Sequence, residues 1–174
     1  MKVILYMAIT ANGMIAKGND DVSWVSDTEW ESYSEMIKKA GNMIIGRKTY
    51  EVMLKIDDFN KSNLNEIKTV VLTNDASLKI HNPQFVSAAT SPRGALDILL
   101  NQGFETIMVC GGGKLNASFM SENLIDEIYL DVEPVVFGKG IGLFAEKDFE
   151  AKLKLLENKK LSEGEVQLHY KVLK

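Results

Sequence analysis

Three short runs in this chain are almost wholly apolar: residues 42–46 (NMIIG), 69–73 (TVVLT) and 106–110 (TIMVC), each set between stretches of helical period. A strand with one wet face alternates apolar and polar residues. A strand covered on both faces need not, which is typical of a mainly parallel sheet flanked by helices. Residues 2–9 (KVILYMAI) read as a first strand of this kind and residues 127–137 (EIYLDVEPVVF) as a later one. Residues 151–161 and 165–173 alternate instead and flank Ser162-Glu163-Gly164, so they predict a C-terminal antiparallel hairpin. Alternating strands and helices closed by a hairpin make an α/β fold.

The helices are placed by their ends. Ser26-Asp27-Thr28-Glu29 fits a capping box, with Val25 and Trp30 as its hydrophobic staple. Trp30, Tyr33, Met36, Ile37 and Ala40 then share one face, and Gly41 stops the helix. A second helix is predicted over residues 47–56. A third opens at Thr90-Ser91-Pro92, with Pro92 at its first position, and closes at Gly103. A fourth follows Gly111–Gly113 and ends near Glu122 or Asn123.

With 174 residues the chain suits one domain, residues 1–174. No run approaches the roughly 20 apolar residues of a membrane span. The opening apolar run is broken at Thr10–Gly13, so it reads as a strand and not as a secretory signal. Cys110 is the lone cysteine, which leaves no disulfide framework, and a cytoplasmic location is expected. With only His81 and His169 besides, no metal site is expected. The net charge is −4 with dispersed cations, which argues against nucleic acid and for a small-molecule partner.

Four segments could carry chemistry. Gly111-Gly112-Gly113 lies between a strand and a helix, where backbone N–H groups can approach a phosphate; the alternative is a tight turn that binds nothing. Asp131 stands 20 residues after Gly111, but Asn116 occupies the place of the third glycine that a Rossmann fingerprint needs, so that reading fails. Gly46-Arg47-Lys48-Thr49 is a second strand-to-helix turn, either an anion cradle or a solvated basic pair. Asp27, with Trp24 before it, is either a favourable partner of the helix dipole or a pocket carboxylate that orients and helps protonate a substrate nitrogen. Residues 10–16 (TANGMIA) are either a plain connection or a lid over the reacting ring.

In order, YMAITANGMIA, SDTEW, IIGRKTYE, VVLTN and VCGGGKL resemble dihydrofolate reductase. ENLIDEIYLDVEPVVFGKGIGLF and SWVSD are instead similar to the reductase domain of the bifunctional riboflavin-biosynthesis deaminase-reductase. The resemblance spans nearly the whole chain. It implies a dihydrofolate-reductase-like three-layer α/β/α fold and hydride transfer from NADPH to a C=N or C=O bond of a pyrimidine- or pterin-like heterocycle. An activity like that of 5-amino-6-(5-phosphoribosylamino)uracil reductase is the leading form. Dihydrofolate reductase proper and an NADPH-binding sensor without turnover are the alternatives. It also implies a homodimer built through the C-terminal strands.

Carried over by position, the resemblance puts Ala8, Ile15 and Ala16 at the nicotinamide end. Gly46, Arg47, Lys48 and Thr49 would hold phosphates, and Leu72, Thr73 and Asn74 would line the adenosine side. Cys110, Gly111, Gly112, Gly113, Lys114 and Leu115 would form the pyrophosphate turn, with a cis peptide between two of the glycines. Trp24, Asp27 and Thr28 would meet the substrate, and Asp27 would be the catalytic group. Two departures bear on substrate. Glu29 and Glu31 stand where the riboflavin-type enzymes carry arginines suited to a phosphate, and the polar stretch 57–65 offers only Lys61 to clamp a folate tail.

Overall fold

The computed structural model describes residues 1–56 and 64–174. The chain runs β1 (Lys2–Thr10), β2 (Met14–Lys17), α1 (Asp27–Ala40), β3 (Asn42–Gly46), α2 (Arg47–Met53), a 3-10 turn (Leu64–Glu66), β4 (Lys68–Leu72), β5 (Val86–Ala89), α3 (Pro92–Leu100), β6 (Thr106–Val109), α4 (Gly113–Ser121), β7 (Glu127–Glu133), β8 (Gly140–Gly142), β9 (Lys152–Lys160) and β10 (Val166–Leu173). The main sheet has the order β5-β4-β3-β6-β1-β7-β10-β9, and β2 and β8 form a separate pair. From β5 to β7 all neighbours are parallel. The β7–β10 and β10–β9 pairs are antiparallel, which is the expected hairpin.

Successive residues of β1 feed opposite faces of the sheet. Val3 and Leu5 join the cluster under α3 and α4, with Leu96, Leu99, Leu115 and Phe119. Ile4 and Tyr6 join the cluster under α1 and α2, with Tyr33, Ile37, Tyr50 and Met53. Helices therefore cover both faces, which is why the central strands carry apolar residues at consecutive positions.

Helix α1 starts where Ser26 Oγ accepts the Glu29 N–H at 3.0 Å, and it ends at Gly41, whose φ of 70° permits its N–H to reach Ile37 O at 2.9 Å. The reciprocal half of the expected capping box is absent: the Ser26 N–H donates to Glu133 Oε1 at 2.9 Å, and Glu29 is turned inward. Helix α3 has Ser91 as N-cap and Pro92 in its first turn, but it stops at Leu100, and residues 101–103 form a turn that ends at Gly103. Helix α2 ends at Met53, short of residue 56. Strand β7 ends at Glu133 because Pro134 has no N–H to donate to the ladder. The polar stretch containing Lys61 lies outside the described residues, and among the described ones no helix is long and apolar enough to cross a membrane.

Candidate active site

Two cavities open at the carboxyl ends of the parallel strands, the usual ligand position in an open α/β sheet. The first, of about 690 Å³, lies over the starts of α2 and α4. Gly46, Arg47, Lys48 and Thr49 follow β3 into it, and Leu72, Thr73 and Asn74 follow β4. Gly112, Gly113, Lys114 and Leu115 enter from the β6–α4 turn, while Ile15, Ala16 and Cys110 close the remaining wall. Of the residues expected at the cofactor, only Ala8 and Gly111 are outside this lining. Ala8 lines the second cavity, and Gly111 packs behind, where a Cβ would stand 2.8 Å from Met7 Sδ.

The turn before α4 is built from glycines for local reasons. Gly111 has a φ of 84°, a left-handed value that L side chains rarely adopt, and the Gly111–Gly112 peptide is cis. A Cβ on Gly113 would stand 2.6 Å from Gly142 O. The N-caps Gly112 and Gly46 have no side chain to accept the first-turn N–H groups, unlike Ser26 and Ser91 at the starts of α1 and α3. The amides at the start of α4 thus face the cavity without a side-chain acceptor, which suits an anionic phosphate. Nearby cations are Lys114, exposed; Lys48, with Nζ 3.4 Å from Asp20; and Arg47, with Nη1 2.7 Å from Glu51 Oε1. These residues fit a dinucleotide phosphate group.

The second cavity, of about 640 Å³, shares Met7, Ile15, Asp20, Val22, Lys48, Thr49, Val52 and Cys110 with the first. Its far wall is the start of α1, with Ser26, Asp27, Glu29 and Trp30. Asp27 is exposed at the rim, whereas Glu29 is only 4% exposed. Burial, then the nearby Asp131 and Glu133 carboxyls, push the Glu29 carboxyl up to about 8. Trp24 and Thr28 do not line this cavity. The Trp24 ring packs edge-on against Phe137, with centroids 5.8 Å apart, and Thr28 is rotated by the helical step toward Glu165.

Behind this wall lies a polar network that the sequence did not announce. The Tyr6 hydroxyl donates to Asp131 and lies 2.8 Å from Ser32 Oγ, and Gln167 Nε2 donates to Asp131 Oδ1 at 2.8 Å. Asp131, on the central strand β7, is 1% exposed, and burial raises its carboxyl above the ordinary range. It lines neither cavity. In sequence Glu29 reads as a capping residue and as a charge unsuited to a phosphate; its burial depends on how α1 packs on the sheet, which no local pattern reveals. Among the described residues no group of three His, Cys, Asp or Glu side chains is placed to hold a metal ion.

The model of the RibD C-terminal domain matches residues 1–167 of the chain. The uncharacterized protein YwjB of Bacillus subtilis (strain 168) is 31% identical over 175 residues, covering 97% of each chain. Among solved structures, a pyrimidine reductase-like protein from Corynebacterium diphtheriae matches with a TM-score of 0.79 at 13% identity, over 99% of this chain and 92% of that one. A diaminohydroxyphosphoribosylaminopyrimidine deaminase/5-amino-6-(5-phosphoribosylamino)uracil reductase from Thermotoga maritima matches at 0.68 and 19% identity, over 99% of this chain and 56% of its own. These structural likenesses establish the α/β fold with its mostly parallel sheet.

Proposed function

The chain belongs to the RibD C-terminal domain family, and on that premise we propose that residues 1–174 act as one NADPH-dependent reductase domain for a C=N or C=O bond in a pyrimidine- or pterin-like heterocycle. The observation that carries this reading is the common wall of the two cavities, which includes Met7, Ile15, Thr49, Val52 and Cys110. One cavity holds the helix-start amides suited to phosphates and the other is bordered by Trp30, Tyr33 and the acids at the start of α1, so a ring in each would meet at that wall. NADPH, when bound, supplies the hydride. The chain's part is to bind and orient: the α4 amides and Lys114 hold phosphate, Leu72, Thr73 and Asn74 border the adenosine side, and Ala8 with Ile15 flanks the reacting end.

Asp27 is placed to orient the substrate from the rim. Asp27→Asn is expected to lower turnover about tenfold, a loss on the order of 1.4 kcal/mol, with NADPH affinity unchanged. Steady-state rates on a verified substrate, beside a fluorescence titration of NADPH, check both halves; full turnover would remove Asp27 from the mechanism. The overall reading is tested by following reduced-nicotinamide absorbance against a panel of pyrimidines and pteridines. Tight NADPH binding without oxidation across that panel would leave a sensor in place of a reductase.

We propose further that the chain is a homodimer joined through the outer strand. All nine residues of β9 are exposed, and Leu153, Leu155 and Leu156 are each more than 40% exposed at an unpaired sheet edge. Leu153→Lys with Leu155→Lys is expected to convert a dimer to a monomer in light scattering; a wild-type monomer at micromolar concentration would refute the arrangement.

A further inference from the structure

Resting on the reductase reading above, we propose that the carboxyl of Glu29 is the polar anchor for a phosphate-free, planar heterocycle carrying a ring-nitrogen or carbonyl acceptor. Glu29 is only 4% exposed, it lines the second cavity, and its closest charged neighbours are three acids. A carboxyl largely withdrawn from water at a cavity wall gains from a ligand that hydrogen-bonds it.

The neighbours decide which form of the carboxyl is present. Glu29 is faced by Asp131 and Glu133 from β7, by Glu165 before β10, by Tyr6 from β1, by Tyr33 on its own helix and by Cys110 after β6. None of these is a cation. Burial and three acids together hold the proton on Glu29 up to about pH 8, so at neutral pH it is a donor and calls for an acceptor on the ligand.

The same lining sets what the ligand cannot carry. Asp20, Asp21, Asp27 and Glu51 share the cavity with Glu29, against Lys48 and Lys55, and among the described residues no arginine lines it. Lys48 already faces Asp20, and Asp21 is held by Lys17 at 2.8 Å. A phosphate dianion entering here would meet net negative charge and no bidentate donor. Trp30, stacked on Tyr33 with centroids 5.6 Å apart, supplies a flat apolar wall suited to a ring.

The test is calorimetric titration of the full chain with cytidine, cytidine 5′-monophosphate and 6-methylpterin, without turnover. At neutral pH cytidine and 6-methylpterin are expected to bind, with the monophosphate at least about tenfold weaker than cytidine. Cytidine has no titrating group in the alkaline range used. Its affinity should therefore fall about tenfold per pH unit above about pH 8, as Glu29 ionises. Glu29→Gln keeps a neutral donor and should bind cytidine with no such fall, while Glu29→Leu should lose binding. Failure of both unphosphorylated probes to bind, equal affinity for the monophosphate, or the same pH profile in Glu29→Gln would each overturn the proposal. NADPH is titrated in parallel on every variant. Loss of NADPH binding with cytidine binding intact would strike the reductase reading alone, and the reverse would strike this one.

Discussion

Gly113→Ala is expected to weaken NADPH binding at least about 100-fold, equivalent to about 2.7 kcal/mol. The added Cβ would stand 2.6 Å from Gly142 O and 3.3 Å from Ala145 N, both of them backbone atoms that no rotamer change can move aside. Gly113 O also accepts the Ala145 N–H at 3.0 Å, so α4 and the segment after β8 are tied at the point of the clash. Relief requires the start of α4 to swing away, and its amides are the proposed phosphate site. Gly112→Ala is the informative comparison. Its Cβ would meet only Thr49 Oγ1 at 3.5 Å and Ile15 Cδ1 at 3.8 Å, ordinary contacts, so the fold should survive while the methyl enters the cavity. Fluorescence titration with NADPH, alongside circular dichroism, separates the two. A Gly113→Ala protein with native affinity would place the phosphates elsewhere.

Asp131→Ala is expected to be the costliest change outside the cavities, with a loss of about 3 kcal/mol and a fall in Tm of roughly 6–12 °C. The substitution leaves the Tyr6 hydroxyl, on a residue with 0% exposure, without its carboxylate acceptor, and Gln167 loses a 2.8 Å bond. Scanning calorimetry measures the shift. Because Asp131 lines neither cavity, NADPH affinity well below Tm should hold, and an affinity loss matching the stability loss would show the network belongs to the site. The buried acids also set the direction of the pH response. Asp131, Glu133 and Glu29 all have raised carboxyls, each with burial as the main cause, so the folded state binds protons that the unfolded state has released. Stability from these groups is therefore lost as pH rises from the ordinary carboxylate range toward about 8.

Much of the fold was legible because its signals are local. The continuous apolar runs gave the covered strands, and Ser26, Gly41, Ser91 and Pro92 marked helix ends that the structure places within a residue or two. Three strands were not visible. β2 (MIAK), β5 (VSAA) and β8 (GIG) are four residues or fewer, and β2 and β8 pair with each other from opposite ends of the chain. The two glycine-bearing strand-to-helix turns were readable for the same local reason, since glycine spacing is a property of the turn itself. The buried acids were not. Glu29 lies on α1, Asp131 on β7 and Glu165 just before β10, and only the tertiary fold makes neighbours of them.

The small β2–β8 pair has a consequence for anyone re-engineering this pocket. Its two segments are stitched at several points: Ala11 N–H to Val135 O, Asn12 Nδ2 to Phe137 O and Leu143 N–H to Gly13 O. The second segment is in turn stitched to α4 through Asn116 Nδ2 to Leu143 O and Ala145 N–H to Gly113 O. A loop graft from a relative that replaces residues 11–17 alone would strand the donors and acceptors left on residues 135–145. The two stretches behave as one cassette, and they transfer between scaffolds only together.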